Sequence, residues 1–565
     1  MKEKLIITSK ISNLVLAWFN FFMFFSMKCC WSGISKTLGY EKGYNPLIYW
    51  LPIIVWGLLM VIFIANICLY KFMKKESKVW SFICNGINVV FLVVNLVIIK
   101  LGAIDYLDYV WPSFFTYLSL TLVVLIVIFM LFIYPKTFLV DNKFFKYSIL
   151  AFTIVFIGIN IFNVSFNRLT TGPVVYVVED EYQIVFSSSV ESRAWVTIGD
   201  ERYFDDYNGS NRSYERIHKV IVPMEVLNEA KEYEIHVQKF TYRGPFGGYK
   251  GRDISEKYSF KPVDTSDGLD YYNLSDIHMA SKASYDAQKH YDYELLVLAG
   301  DIVSMMDTFA DANLVNEIAH EMTNGGVAVV YARGNHELKG KYAEEFHKFV
   351  GADDERFYYS FRLDGLYGLV LDIGEDHDDD WWEYYDTADY EQYRAKQYVM
   401  LEEEIKKGDY KNYDYQLVVC HIPPVFVNSR KNHVECKTRF TELLNQMEID
   451  MCISGHQHDL MIFEPGLVKP NEKLNYNPAF SSKKTYKGYL TDFNFNCILV
   501  SKRGKTQTDS SSLTNMKEQI GVFIRVDFTK NNQTITYNTS NGELVNIVNP
   551  FAVKDYGNTI IFPLN

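Results

Sequence analysis

Apolar residues are unevenly spread along this chain. Five long apolar stretches crowd its first third, at about Ile11–Met27, Leu47–Tyr70, Val79–Ile99, Val110–Tyr134 and Ser148–Phe166. Most reach the roughly 20 residues that a helix needs to cross a bilayer core. Between 172 and 262 the pattern changes to short runs: Val174–Val178, Tyr182–Phe186, Arg193–Ile198, His218–Val222 and Tyr233–Gln238. Turn residues break them at Gly199-Asp200, Asn208-Gly209 and Gly247-Gly248. That spacing predicts a small β-sandwich, with the aromatic, Gly-rich run Phe240–Gly251 as a surface loop. From Leu269 onward the runs Tyr271–Leu274, Leu295–Leu298, Val327–Tyr331, Gln416–Cys420 and Met451–Ile453 read as strands. Asp311–Met322 and Glu391–Lys407 have the apolar spacing of helices. Strands alternating with helices predict an α/β core whose functional groups sit on loops at strand ends. Residues 466–545, rich in Asn, Lys, Ser and Thr, read as β-hairpins with exposed loops.

Charge separates the first third from the rest. Residues 1–171 hold 15 Lys+Arg against 6 Asp+Glu, and residues 172–565 hold 41 against 62. Two parts in different environments are expected. For the first stretch a cleaved signal peptide competes with a retained helix. The segment lacks a convincing small-residue cleavage site and four more stretches follow, which favours the helix. Trp31, Trp50, Trp80, Trp111 and Tyr134 cluster at stretch edges, as an aromatic belt does. The N-terminus and the loops 71–78 and 135–146 hold ten Lys, against five Lys/Arg in the alternate segments. That bias puts the first set in the cytoplasm and residue 168 onward outside it. The stretches carry no charge at their centres, so an anchor is favoured over a conduit. Residues 1–167 are thus expected to form a five-helix transmembrane region of a multi-pass cell-membrane protein, with the lipid bilayer as a partner and the remainder extracytoplasmic.

An acidic second part argues against nucleic-acid binding, which needs a basic footprint. The eight cysteines form no disulfide framework. Cys420 and Cys452 lie in apolar runs, where a buried free thiol is expected. Close Cys pairs for a zinc–thiolate site are missing from residues 172–565.

Five short motifs each end an expected strand: Asp276-Ile277-His278, Gly300-Asp301, Gly334-Asn335-His336-Glu337, Cys420-His421-Ile422-Pro423-Pro424 and Gly455-His456-Gln457-His458. Each alone has an ordinary reading as a turn or a satisfied buried histidine. Together they supply two carboxylates, one amide oxygen and four ring nitrogens, with His336 left over. Such a set can hold two divalent ions side by side, the equipment of phosphate-ester hydrolysis.

In these motifs, over residues 270 to 465, the chain resembles the calcineurin-like metallophosphoesterases. The resemblance implies an αββα four-layer sandwich over 266–565. It implies that Asp301 bridges two ions, that Asp276, His278 and His458 complete the first position, and that Asn335, His421 and His456 complete the second. A bridging hydroxide would attack phosphorus in line. Two ions, two carboxylates and that hydroxide leave about +1 at the pocket floor, so an acidic protein can still bind a phosphate ester. The family places the histidine of His336 beside the leaving group, as general acid or transition-state stabiliser. Arg333 is expected to reach a phosphate oxygen, with a structural ion pair as the alternative. The segment 172–262 resembles the fibronectin-III-like domain that precedes the catalytic domain of purple acid phosphatases. Those enzymes carry a Tyr three residues after the bridging Asp, where this chain has Ser304, and lack the His of Asp-x-His, where this chain has His278. The two divalent ions are therefore left open among Mn, Fe and Zn.

The acidic, aromatic segment Glu375–Tyr390 reads as a specificity lid, a further cation site or a solvated loop, and His377 within it is not counted as a ligand. The whole chain is expected to combine an α-helical transmembrane bundle, a small β-sandwich and an α/β metallophosphoesterase fold. The activity expected of it is membrane-anchored hydrolysis of phosphate mono- or diesters. Competing readings are a membrane-tethered sensor with a non-catalytic site, which the intact ligand set disfavours, and a transporter, which would need charged intramembrane residues.

Overall fold

In the computed structural model, residues 167–565 are described apart from 206–211, 245–246, 279, 429–431, 459, 473, 477–485, 501, 504–518 and 549–553. They form one compact unit. The first elements are β1 (Leu169–Val178), β2 (Glu181–Ile198), β3 (Glu201–Phe204), β4 (Glu215–Pro223), α1 (Met224–Ala230), β5 (Glu232–Gly244) and β6 (Gly247–Ser259). Strands and helices then alternate: β7 (Leu269–Leu274), α2 (Ser281–Gln288), β8 (Leu295–Ala299), α3 (Phe309–Thr323) and β9 (Ala328–Ala332). A second series follows: β10 (Tyr359–Leu363), β11 (Leu366–Leu371), α4 (Tyr390–Lys407), β12 (Tyr415–Cys420), β13 (Phe426–Asn428), α5 (Asn432–Leu444), β14 (Met451–Ser454) and β15 (Leu460–Phe463). The chain continues through β16 (Leu474–Tyr476), β17 (Tyr486–Leu490), β18 (Asn496–Val500), β19 (Lys502–Arg503), β20 (Gln519–Asp527), β21 (Asn532–Thr539), β22 (Ile547–Val548), β23 (Asp555–Gly557) and β24 (Ile560–Pro563).

The α/β part is built on two sheets. One runs β24-β21-β20-β7-β8-β9 and continues into β1-β2-β5-β6; the other runs β10-β11-β12-β14-β18-β15. Strands β7, β8 and β9 are parallel, as are β11, β12, β14 and β18. Side-chain alternation explains the layering. In β12, Leu417 and Val419 enter a core shared with Val330 and Ala332 of β9, while Val418 and Cys420 pack with Leu401 of α4 and Phe440 of α5. The sheets thus face each other, with helices outside, as the resemblance implied. Two buried tyrosines join the layers. Tyr271 of β7 meets Tyr415 of β12 at 2.7 Å, and Tyr415 donates to Gln533 of β21.

The expected core strands are found to within two residues. Helix α3 starts at a capping box formed by Thr308 and Asp311, which fixes its first turn. Two shorter helices in this half, α2 and α5, were not anticipated; α2 has only eight residues, most of them polar or small.

The segment 172–262 is β-rich but differs from expectation. Tyr182–Phe186 and Arg193–Ile198 belong to one bent strand, β2. At the bend Ser188 and Ser192 meet at 2.8 Å, and both approach His218 Nε2, whose Nδ1 faces Asp205 at 3.1 Å. This buried network satisfies polar groups that alternation alone would read as a turn. Phe240–Gly251, expected as a loop, forms the arms of the β5–β6 hairpin. Strand β1 pairs in parallel with β9 through Val175 and Ala328. The ladder is therefore continuous with the α/β sheet, and a fibronectin-III-like domain is not confirmed.

The fold class must also be corrected at its start. The described structure is mostly β, with an α/β domain and five α-helices, none long and apolar enough to cross a membrane. These helices use one face against a sheet: α4 buries Tyr390, Arg394, Gln397, Leu401 and Glu404 and exposes its remaining charged residues. Among the described residues there is thus no α-helical transmembrane bundle. The five apolar stretches within 11–166 lie outside the described residues.

Phe361 of β10 sits opposite Gly368 of β11, and a Cβ on Gly368 would fall 1.9 Å from the Phe361 ring. Gly368→Ala should therefore force the ring out of the inter-sheet core and lower stability by about 1–3 kcal/mol. A denaturant midpoint equal to that of the unmodified chain would refute this packing.

Candidate metal centre

All five motifs converge where parallel strands end. Asp276 and His278 follow β7, Asp301 follows β8, Asn335 and His336 follow β9, His421 follows β12, and His456 and His458 follow β14. Five of these residues have left-handed backbones: Asp276 (φ 52°), His278 (43°), Asp301 (53°), His456 (71°) and His458 (51°). Such a conformation costs a non-glycine residue about 1–3 kcal/mol and persists only where surrounding contacts impose it.

The contacts that impose it can be named. The carboxylate of Glu337, fully buried, accepts backbone N–H bonds from Asp301 (3.0 Å), Ile302 (2.7 Å), Val303 (3.2 Å) and Gly334 (2.9 Å). One side chain thereby clamps the loop after β8 to the loop after β9. Asp301 Oδ1 accepts from the backbone of His336 at 2.9 Å, and Asp276 Oδ2 accepts from that of His456 at 2.9 Å. The approach is too close for a side chain at two motif glycines. A Cβ on Gly334 would lie 2.2 Å from Asp301 Oδ1, and one on Gly455 would lie 1.9 Å from Ser275 Oγ.

Two ligand groups result, Asp276–His278–Asp301–His458 and Asp301–His421–His456, and Asp301 belongs to both. Its Oδ2 lies 3.7 Å from His278 Nε2 and 3.1 Å from His421 Nε2. In the first group His458 Nε2 is 3.2 Å from Asp276 Oδ1 and 3.3 Å from His278 Nε2. In the second, His456 Nδ1 is 3.2 Å from Asn335 Oδ1, so the amide joins it. The seven expected ligands are together.

The residues fit two cations. Asp276 Oδ1 and His421 Nε2 are buried and make no hydrogen bond, although each faces an oppositely poised group. His421 Nδ1–H donates to Ala299 O at 2.7 Å, which turns Nε2 inward. Burial disfavours a charge on this imidazole, yet the Asp301 carboxylate raises it to about 10. If Nε2 is protonated it would pair with Asp301 at 3.1 Å; a divalent cation would displace that proton. Histidine, carboxylate and amide donors suit Mn, Fe or Zn.

His336 stands beside the ligands. Its Nδ1 bonds Ser304 O at 2.8 Å, and its Nε2 lies 3.9 Å from Asp301 Oδ2. Burial pushes this imidazole down to about 4. The side chains of His336, His456 and His458 are 20%, 16% and 29% exposed, which marks the open side of the centre. Arg333 is committed elsewhere. Its Nε and Nη2 hold Asp372 Oδ2 at 2.8 and 2.6 Å, and its guanidinium stacks on Phe357. The ion-pair alternative for Arg333 is therefore the one this geometry shows.

Sequence reasoning missed Glu337, Glu375 and Asp376 as parts of the centre. Glu337 was legible as the last residue of its motif. Glu375 and Asp376 approach Asn335 and His456 from about 40 and 80 residues away, and no local pattern announces that.

Residues 271–460 match the family model described as calcineurin-like phosphoesterase, and the chain carries that domain there. Among solved structures it is similar to purple acid phosphatase PPD1 isolated from yellow lupin (Lupinus luteus) seeds, at 13% identity and TM-score 0.41, over 70% of this chain and 74% of that one. It is similar to PhoD at 10% identity and TM-score 0.35, over 70% of this chain and 90% of that one. It is also similar to GAP50, the anchor in the inner membrane complex of Plasmodium, at 14% identity and TM-score 0.31, over 52% and 89% of the two chains. Likeness at these scores carries no functional inference. No curated protein matches the sequence.

Glu337→Gln tests the clamp. An amide has one acceptor oxygen, so at least one pair of N–H donors would face an NH₂ group, at a cost of about 2–4 kcal/mol. The expected result is a lower unfolding midpoint together with weaker metal uptake. Unchanged stability would mean that the four bonds do not hold the two loops.

Proposed function

We propose that this domain hydrolyses phosphate mono- or diesters with two divalent ions held by Asp276, His278, Asp301, Asn335, His421, His456 and His458. The observation that supports it most directly is Asp301, whose carboxylate belongs to both ligand groups. Two ions placed side by side supply Lewis-acid polarisation of phosphate oxygens and an activated water. The chain's own residues would do the rest. Asp301 and Asp276 neutralise part of the cationic charge and leave a pocket that attracts an anion. The Glu337 clamp keeps Asp301 from relaxing as charge redistributes. His336 presents Nε2 on the open side while Nδ1–H is tied to Ser304 O. An anionic phosphate beside Nε2 favours its protonated form, which can hydrogen-bond or protonate the leaving oxygen.

The full-length chain should bind about two transition-metal ions and turn over a panel containing p-nitrophenyl phosphate, a bis-ester, nucleotides and a lipid phosphate. Asp301→Asn and His456→Ala should abolish activity through metal loss. His336→Ala should keep both ions and slow turnover by roughly 10²–10⁴. A metal-bound wild type without turnover on any ester would instead support the binding or sensor reading. If His336→Ala strips an ion as thoroughly as His456→Ala, the role given to His336 is wrong.

Extracytoplasmic placement is a separate proposal, carried only by the Lys/Arg distribution along residues that are not described. A cysteine replacing the exposed Asp200 should react in intact cells with a membrane-impermeant thiol reagent. Labelling only after lysis would place the domain inside and shift its substrates to cytosolic phosphates.

A further inference from the structure

An acidic segment beside a centre meant for an anionic ester needs a physical reason. Its first two residues supply one. Glu375 Oε2 accepts a hydrogen bond from Asn335 Nδ2 at 3.0 Å, and Asp376 Oδ2 lies 2.7 Å from His456 Nε2. Asn335 and His456 belong to the same ion position, and their inward atoms, Oδ1 and Nδ1, are 3.2 Å apart. Each carboxylate thus takes the donor end of one ligand. The acceptor end of that ligand, an amide oxygen or a ring-nitrogen lone pair, is left facing the centre. A flipped amide or the other imidazole tautomer would present a donor there and hold no cation.

The two carboxylates are themselves fixed and neutralised. Glu375 is 2% exposed, accepts from Tyr384 OH at 2.6 Å and faces Lys339 Nζ at 3.6 Å. Asp376 Oδ1 faces Lys437 Nζ at 3.4 Å, and that buried lysine also donates to Phe426 O at 2.9 Å. Arg394 of α4 donates to Ile373 O and Glu375 O, and Asp379 accepts from the backbone of Tyr390. The segment is therefore tied down on both sides of the pair.

We infer that Glu375 and Asp376 are positioning residues for the second ion position, fixing the amide of Asn335 and the tautomer of His456. The inference rests on the hydrolase reading for the identity of the ligands. It makes the two positions unequal. Ligands of the first are held from elsewhere: Ser275 Oγ donates to Asp276 Oδ2 at 2.8 Å, and Ser304 Oγ lies 3.4 Å from His278 Nδ1. Carboxylates behind ligating groups commonly govern metal affinity by about 10–100-fold.

The test uses the full-length chain and two near-isosteric variants, Asp376→Asn and Glu375→Gln, with Asp380→Asn of the same segment as a control. Zn(II) is titrated by equilibrium dialysis with metal analysis, and Mn(II) loading is followed by electron paramagnetic resonance. Wild type and control should bind two ions and show a coupled Mn(II) spectrum. Each variant should keep one ion at wild-type affinity and bind the second about 10–100-fold more weakly, with a mononuclear six-line spectrum at intermediate loading. Variants that bind both ions as tightly as wild type overturn the inference. So do variants that lose both ions together, which would show a general structural role. A wild-type chain that binds no ion brings down the hydrolase reading, and this inference with it, before any variant is compared.

Discussion

The carboxylate of Glu337 is the contact on which the centre's geometry depends. Four backbone N–H groups from two loops end on its two oxygens. Loops at the ends of parallel strands are otherwise free to choose their paths. This clamp removes that freedom where β8 and β9 end. It also delivers the Asp301 side chain to a point between two histidine groups. A neutral side chain could not accept four such bonds. Burial and the nearby Asp301 carboxylate push Glu337 up to about 7, and cations beside Asp301 would draw it down again.

Conformational strain is stored at the same motifs and opposed in the same manner, by bonds between loops. Five ligand residues in left-handed backbones would unfold a loop that had nothing to oppose them. Here their turns are closed by hydrogen bonds between motifs, such as His278 N to Asp301 O and Gly455 N to His421 O. The Asp276–His278, Asp301 and His456–His458 motifs are strained alone and satisfied only beside another motif. That mutual dependence is why glycine precedes Asp301, Asn335 and His456. At Gly334 and Gly455 a neighbouring motif's side chain already occupies the space of a Cβ.

Much of this was legible from order along the chain. Strand-length apolar runs located β7, β8, β9, β12 and β14, because buried parallel strands have no polar face to blur them. The seven ligands were legible because each sits directly after such a run. What escaped was set by contacts remote in sequence. The bend in β2 depends on a buried Ser–His–Asp network, and β1 joins β9 across some 150 residues. Alternation records which residues of a strand face inward, but not which strand lies beside it. Hence the segment 172–262 reads as a domain of its own although its first strand extends the α/β sheet. Arg333 failed to reach the centre for a related reason: Asp372, at the end of β11, competes for it at 2.6 Å.

For an acidic protein to attract an anion, as proposed, most of its carboxylates must be kept from being felt at the site. Around this centre they are compensated one by one. Asp372 is held by Arg333, Glu375 by Lys339, Asp376 by Lys437, and Glu337 by four backbone dipoles. Asp276 and Asp301 face histidines instead, where a bound cation would take the place of a proton shared with the carboxylate. With two divalent ions bound, the local field would be set by two carboxylates against them, whatever the net charge of the surrounding surface, since exposed charges are screened within about 8–10 Å at physiological salt. Compensation of the inner carboxylates, more than the number of acidic residues in the sequence, is what would let this fold, with its proposed ions bound, offer a cationic floor to a phosphate ester.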